Sequence, residues 1–440
     1  MRRLSRTLRY TPASVLNPLK GLVPYQGDHR TRFPHSLEFN YLPLSGILVG
    51  PDTYDWTPLE NLLSDISGRG HQAVFRIFLE YPGKRNVIPK YLIDRGLKVF
   101  RYVNTNTQPL PPTEVETPDY RDPRLTAALT AFIAALGKRY DGDPRLGFVT
   151  AGLIGTWGEW HTFPRSELFA PKAVQEAVLD AYESAFRTTP VLLRYPAGPK
   201  DEVYSPNHRR RFGYHDDSFA WATLETGKRD DRWFFLSLLK TAGPEAQAKW
   251  KRFPIGGEIR PEAWGKVFDT PPGDRRIQDF RTCVTRTRVT WLMDTGMFEK
   301  PPSPERRRRA ETEVRRMGYE FHIPGVTIER EGDSLMVRTE VTNRGVAPFY
   351  YDWSSEYAIA TPQGAFLRTF PGNGRITGLL PGDSPRLWED RLTLTGLPSG
   401  HYRLLLRLRS PLKNGVPLRF ANAEQDTCAS GWLTLANLER

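Results

Sequence analysis

Cysteine is almost absent from this sequence: Cys283 and Cys428 are the only two among 440 residues. Two thiols so far apart build neither a disulfide framework nor a zinc knuckle, whose ligands recur at short fixed spacings. A single bridge or two inert thiols remain open. Long apolar runs are also missing. No stretch approaches the roughly 18 residues a membrane-crossing helix needs, so integral membrane contact is not expected. Residues 1–22 are basic and lack the apolar segment of a signal peptide, which leaves a cytosolic protein or one whose signal has been removed. No GxGxxG turn occurs early in the chain, which argues against an open, doubly wound dinucleotide-binding sheet. Internal repeats and low-complexity stretches are absent as well.

Positive charge is in excess. There are 62 Lys and Arg against 50 Asp and Glu, a net charge of +12. Much of the surplus sits in two runs, Arg209–Arg211 and Arg306–Arg309. Such runs are either solvated faces or a footing for an acidic polymer. No helix-turn-helix, zinc-finger or aromatic RNA-binding signature accompanies them, so nucleic acid is not an expected partner. At 39% hydrophobic residues the chain is globular rather than disordered. Its length is too great for one ordinary domain and suits a large domain followed by a smaller one.

The texture changes once along the chain. Short apolar runs lie at 21–24, 37–41, 72–79, 146–154, 191–195, 212–214, 253–256 and 289–293. They are rich in Val, Ile, Leu and Phe without strict alternation, as strands buried on both faces are. Helical periods separate them, clearest at 57–68, 124–140 and 171–186. Eight strands with intervening helices predict an α/β fold, a (β/α)8 TIM-type barrel over residues 1–318. From residue 325 to 435 the pattern switches to period two, as in Ser334–Val341 and Tyr402–Arg409, with turn residues between the runs. That predicts a C-terminal antiparallel β-sandwich over residues 319–440.

In such barrels the strand C-termini line the active site. Reading along those ends collects Asn40 from strand two, Arg76 and Glu80 from strand three, and Trp157, Glu159, Trp160 and His161 from strand four. Strand five adds Arg194 and Tyr195, and strand six His215, Asp216 and Asp217. Glu258 follows strand seven, and Trp291 and Asp294 belong to strand eight. Carboxylates, Arg, His and aromatic rings on one rim suit a carbohydrate, whose hydroxyls take charged hydrogen-bond partners and whose ring faces stack on indoles and phenols. Glycoside cleavage needs one carboxylic acid to protonate the leaving oxygen and one carboxylate to attack the anomeric carbon or activate water. Glu159 and Glu258 are the expected pair. The histidine and aspartates after strand six are metal-ligand types, but one cluster is too little to define a site. No metal or cofactor is expected.

Placed after strands four and seven, Glu159 and Glu258 resemble the catalytic glutamates of the retaining (β/α)8 glycoside hydrolases of the β-galactosidase and cellulase superfamily. Tyr54–Glu60 and Gly70–Arg76 also look like the β-galactosidase-type barrels. A nearer resemblance, through Asn17–Gly21, Gly155–His161, Pro254–Glu258 and Pro417–Asn422, is to a bacterial family of barrel-plus-sandwich proteins of largely unassigned function. The resemblance implies a retaining glycosidase acting on an oligo- or polysaccharide, with Glu159 as acid/base and Glu258 as nucleophile. It departs at one position. The superfamily places Asn directly before the strand-four Glu to bind the sugar 2-hydroxyl, and here that residue is Gly158, which passes the role to Asn40 or His161 or changes the substrate at that hydroxyl. Two other classes compete: a non-catalytic carbohydrate-binding protein on a glycosidase scaffold, and a polysaccharide lyase or metal-dependent hydrolase using His215 and the aspartates.

Overall fold

In the computed structural model, residues 2–105 and 111–440 are described. All eight expected strands form. In chain order, as strands one to eight, they are Gly21–Val23, Leu37–Pro43, Gln72–Phe78, Leu146–Thr150, Val191–Leu193, Gly213–Phe219, Ile255–Ile259 and Trp291–Met293. They pair in parallel around one sheet, with strand eight returning to strand one. A bridge between Tyr25 and Phe39 joins strand one to strand two and closes the barrel. Strands six and seven run further than expected, so His215–Asp217 and Glu258 lie within strands rather than after them.

Helices Thr57–Gly68, Pro123–Tyr140, Lys172–Ala185, Phe235–Ala242, Phe280–Thr287 and Pro304–Arg315 pack outside. Pro123–Tyr140 shows how the sequence sets one. Asp122 caps it by accepting from Arg124 N–H, proline occupies the first turn, and Leu125, Leu129, Phe132, Ile133 and Leu136 form the buried stripe. Not every return is helical. Residues 24–36 and 194–212 connect strands one to two and five to six without an α-helix.

Alternation along each strand decides what the barrel encloses. Phe39, Val74, Phe148, Leu192, Trp291 and Met293 face inward and share a core, while Ala73, Phe75, Ile77, Val149 and Leu193 face the helices. Counting by twos from the inward set puts Tyr41, Arg76, Thr150 and Arg194 inside, and alternation from Tyr214 and Ile255 in the outer core does the same for His215, Asp217 and Glu258. Asn40 and Asp216 fall on the outer face.

The C-terminal strands form two antiparallel sheets, as expected. One contains Phe321–His322, Gly325–Glu331, Ser334–Asn343 and Arg386–Thr393, and the other Ser354–Ala360, Phe366–Arg375, His401–Leu408 and Leu433–Glu439. The first sheet has a member that periodicity did not reveal. Arg2–Thr7 pairs antiparallel with Gly325–Glu331, so the start of the chain, expected within the 1–318 barrel, belongs to the sandwich. Both cysteines are free thiols. The arginine runs are neutralised locally, Arg209 by Glu245, Arg210 by Asp180, Arg306 by Asp269 and Arg309 by Glu305. No helix of the described residues is long and apolar enough to cross a membrane.

The sandwich is built against the floor of the barrel. Leu19, Phe148 and Trp291 share a continuous core with Tyr319, Phe349 and Trp353. Tyr319 donates its hydroxyl to the Pro18 carbonyl at 2.7 Å, Tyr351 donates to the Gly147 carbonyl at 2.5 Å, and Lys20 donates to the Tyr319 carbonyl at 2.7 Å. Trp291 stacks on Phe148 with 5.8 Å between ring centroids, and a Cβ at Gly256 would lie 2.3 Å from its ring. Truncating Trp291 to Ala therefore opens a cavity in a core common to both halves. The expected loss is about 3–5 kcal/mol in urea unfolding, with fluorescence and circular dichroism reporting one shared transition; separate transitions would show that the two cores are independent.

Candidate active site

A buried guanidinium organises the mouth. Arg76, 2% exposed, donates to Glu159 Oε1 at 2.7 Å, to the Thr150 hydroxyl at 3.2 Å and to the Tyr41 hydroxyl at 3.3 Å. Its remaining nitrogen lies 3.4 Å from both ring nitrogens of His215. Burial and the Arg76 charge hold His215 well below the usual imidazole range, so it faces Arg76 as a neutral ring. A second pair repeats the pattern two strands on, where Arg194 Nε lies 2.7 Å from Asp217 Oδ2. Burial opposes ionisation there, but the guanidinium holds Asp217 down at about 2.

Glu258 differs. It is 9% exposed, and among the described residues nothing donates a hydrogen bond to its carboxyl. Burial and the nearby Glu159 charge push it up to about 8, with Arg76 offsetting part of the effect. Two neighbouring carboxyls thus differ in state, one bonded to a guanidinium and the other raised toward a protonated acid at neutral pH. His161 Nε2 stands 3.7 Å from the second oxygen of Glu159.

Aromatic rings line the same mouth. Tyr25, Tyr41, Tyr81 and Trp157 succeed one another at centroid separations of 6.5, 5.9 and 6.4 Å, and His161 lies 6.1 Å beyond Trp157. Burial, and after it the Glu258 charge, raises the Tyr25 and Tyr81 hydroxyls. No sequence pattern marks Tyr81, which lies beyond the end of strand three. Tyr195 stacks on Tyr204 at 4.5 Å, while Arg194 lies 4.1 Å above the Tyr195 ring; Tyr204 sits in a loop without periodicity.

The turn after strand four carries unusual backbone. Gly155, Trp157, Gly158 and Trp160 all have φ between 54° and 79°, a region that costs non-glycine residues energy and persists only where surroundings impose it. Gly158 explains the missing Asn. A Cβ there would lie 3.1 Å from Gly152 Cα and 3.2 Å from Arg76 Cδ, so a side chain would be crowded as well as strained by the φ of 72°.

Several expected ligands serve the scaffold instead. Asn40 faces outward and donates to Gln26 at 2.7 Å, which removes it as a substitute for that Asn. Asp216 also faces outward and accepts from the Thr223 hydroxyl at 2.7 Å and from Ser218 N–H at 3.1 Å. Glu80 is fully buried, accepting from Tyr120 at 2.5 Å and Thr117 at 2.6 Å, and Tyr120 in turn accepts from Gly155 N–H at 2.7 Å. Together with the Trp157 N–H bond to the Glu80 carbonyl at 2.9 Å, this network anchors the strand-four turn. Trp160 is buried with its Nε1 donating to the Ala151 carbonyl at 2.8 Å. Trp291 lies beneath His215, 5.7 Å between centroids, in the barrel core. Asp294 accepts from Gly265 N–H at 2.9 Å and Met297 N–H at 2.8 Å and fixes a turn.

The paired carboxyls thus sit at the mouth of a closed parallel barrel. The chain is similar in fold to solved glycoside hydrolases. Endo-glycoceramidase II from Rhodococcus sp. matches at 12% identity and TM-score 0.39, covering 87% of this chain and 99% of the other. An endo-β-1,4-mannanase from Thermotoga petrophila matches at 10% and 0.33, covering 92% and 96%. A family 39 glycoside hydrolase from Bacteroides cellulosilyticus matches at 10% and 0.38, covering 86% and 81%. At such identities the likeness concerns fold and not activity. No protein-family model matches the chain, and no curated protein does.

Three buried carboxyls titrate near neutrality, Glu258 at about 8 and Glu80 and Asp216 at about 7, each raised chiefly by burial. A raised carboxyl binds its proton more tightly in the folded state, so stability declines as pH rises from the unfolded value toward the folded one. His35, lowered by burial to about 4, works in the opposite direction below pH 6.5. Lys20 and Lys249, lowered by burial to about 8, oppose the carboxyls as pH nears that value, so the carboxyls govern the window from pH 6.5 to about 7.5. Stability measured by urea should fall across it, and Glu258→Gln should flatten the slope; a rise with pH would contradict this assignment.

Proposed function

We propose that this protein is a glycoside hydrolase that cleaves an O-glycosidic bond in an oligo- or polysaccharide, with Glu159 and Glu258 as its catalytic pair. The observation that carries the reading is the unequal state of two neighbouring carboxyls at the barrel mouth: Glu159 bonded to Arg76, and Glu258 without a donor and pushed up to about 8. Hydrolysis requires that division between a proton donor and an anionic carboxylate.

The roles that this geometry favours reverse those implied by the resemblance. Glu258, protonated at neutral pH, gives its proton to the glycosidic oxygen as the bond to the anomeric carbon breaks. Glu159, oriented by Arg76, attacks that carbon from the opposite face and forms the glycosyl-enzyme ester. Glu258, now a carboxylate, then takes a proton from water as the water displaces Glu159. The rings of Tyr25, Tyr41, Tyr81 and Trp157 offer stacking faces to sugar. His161, beside Glu159, takes the 2-hydroxyl in place of the missing Asn. Asp217, Arg194 and Tyr195 complete the polar wall. The sandwich braces the barrel floor opposite the mouth.

Aryl glycosides with activated leaving groups separate the roles. Glu258→Ala should retain their turnover and lose natural substrates by at least about 10²-fold, the scale of general-acid catalysis, whereas Glu159→Ala should lose both. Azide should rescue Glu258→Ala and give a glycosyl azide of retained configuration. The opposite pattern would restore the roles implied by the resemblance. Carbohydrate binding unaffected by either variant, with no turnover, would identify a binding protein instead.

The pH dependence offers a second check. kcat/KM should fall as pH rises through about 8, where Glu258 loses its proton, and Glu258→Gln should abolish that limb in the residual rate on activated substrates.

A further inference from the structure

The barrel flank between strands one and two has no helix, and residues 24–36 cross it as a loop. His35, Glu38 and His71 are buried beneath this loop, and one ligand-type atom from each lies within 4.8 Å of the others. Their neighbours fix the chemistry of the cluster. His35 Nδ1 is 2.8 Å from the Phe33 carbonyl oxygen, which only accepts, so Nδ1 carries the proton and Nε2 a lone pair. His35 is 4% exposed, and its Nε2 is buried with no hydrogen-bond partner among the described residues. An acceptor left in that state destabilises the fold. An imidazole whose other N–H is tied to a backbone carbonyl is also oriented as metal-binding histidines are.

The rest of the cluster supplies complementary groups. The His71 ring lies 4.4 Å from the His35 ring, centroid to centroid, and His71 Nδ1 is 2.7 Å from Glu38 Oε1. Arg69 donates to both Glu38 oxygens, at 2.9 and 2.7 Å, and Gly27 N–H donates at 2.9 Å, so the carboxylate cannot rotate. The Arg69 charge is shared with Asp65, at 2.6 Å. Two carboxylates against one guanidinium leave a net negative charge beside two imidazoles.

We propose that His35 Nε2, His71 and Glu38 bind one divalent transition ion of the zinc class on the barrel flank. Two imidazoles and a carboxylate match the donor preference of zinc. On binding, the ion replaces the proton between His71 Nδ1 and Glu38 Oε1, and that proton leaves to solvent. Arg69 and Gly27 keep the carboxylate aimed. The ion is structural: it ties the loop that stands in for the first helix to the starts of strands two and three, away from Glu159 and Glu258. The proposal departs from the sequence-based expectation of no metal, and it does not depend on the hydrolase reading.

Zinc titration of the chelator-treated full chain, with a chromophoric competitor, tests it. One equivalent should bind and raise the thermal midpoint. His35→Phe keeps an aromatic ring against Phe298, now 5.2 Å from His35, and should weaken binding by at least about tenfold while removing the thermal shift. His71→Asn should do the same. Failure of the wild-type chain to bind zinc, or equal affinity in both folded variants, would overturn the proposal. Should the variants not fold, X-ray absorption at the zinc edge of the wild-type complex decides: two imidazoles around the ion support the site, and fewer overturn it.

Discussion

A guanidinium buried inside a barrel must be answered on every side, and much of the mouth can be understood as the answer to Arg76. Removing a cation from water costs several kcal/mol unless anions and acceptors replace the lost hydration. Glu159, Thr150 and Tyr41 do so here. Burial and the same charge keep His215 neutral, and Glu258 remains the carboxyl without a donor. Burial in the barrel interior, with the charge of the ion-paired Glu159 beside it, leaves the second carboxyl holding a proton. The asymmetry between the two acids is thus a property of the barrel interior and needs no ligand to create it.

The second constraint is the floor. Barrel interiors are packed cores rather than pores, and here the packing continues through Phe148 and Trp291 into the sandwich. The sandwich therefore has a structural task that does not involve sugar. Fixing the floor fixes the lower ends of the strands, and the upper ends carry the candidate reacting groups. A site that depends on placement within about 0.5 Å gains from being built on such supported strands.

Much of this is legible in the sequence, and the limits have physical causes. The eight strands can be read because buried parallel strands are uninterrupted apolar runs, and the sandwich because its strands alternate. Polar residues at the ends of the apolar runs include Glu159, Glu258, Arg76, Arg194, His215 and Asp217, which the barrel does bring to one mouth. The same rule selects Asn40, Asp216 and Trp160, which lie elsewhere, because nearness to a strand end says nothing about which face a residue occupies. Counting by twos from Phe39 and from Phe148 separates Tyr41 from Asn40 and places Thr150 inside. Glu80 escapes that rule as well, since its partners Thr117 and Tyr120 come from a hairpin and loop with no readable period. The pairing of Arg2–Thr7 with Gly325–Glu331 is out of reach, since only tertiary contact joins segments so distant in sequence.

That last pairing has a consequence in time. The first strand of the chain leaves the ribosome long before its partner has been translated. At about 5–20 residues per second, the 318 positions between Thr7 and Gly325 (325 − 7) take roughly 16–64 s to synthesise. Throughout that interval, while the barrel itself is being made, Arg2–Thr7 lacks its partner strand. Its sequence, RRLSRT, places three arginines in six residues, and charge on an unpaired edge discourages pairing with other chains. The arginines of Arg2–Thr7 are charge of that kind, and the edge is closed on one side once Gly325–Glu331 pairs with it.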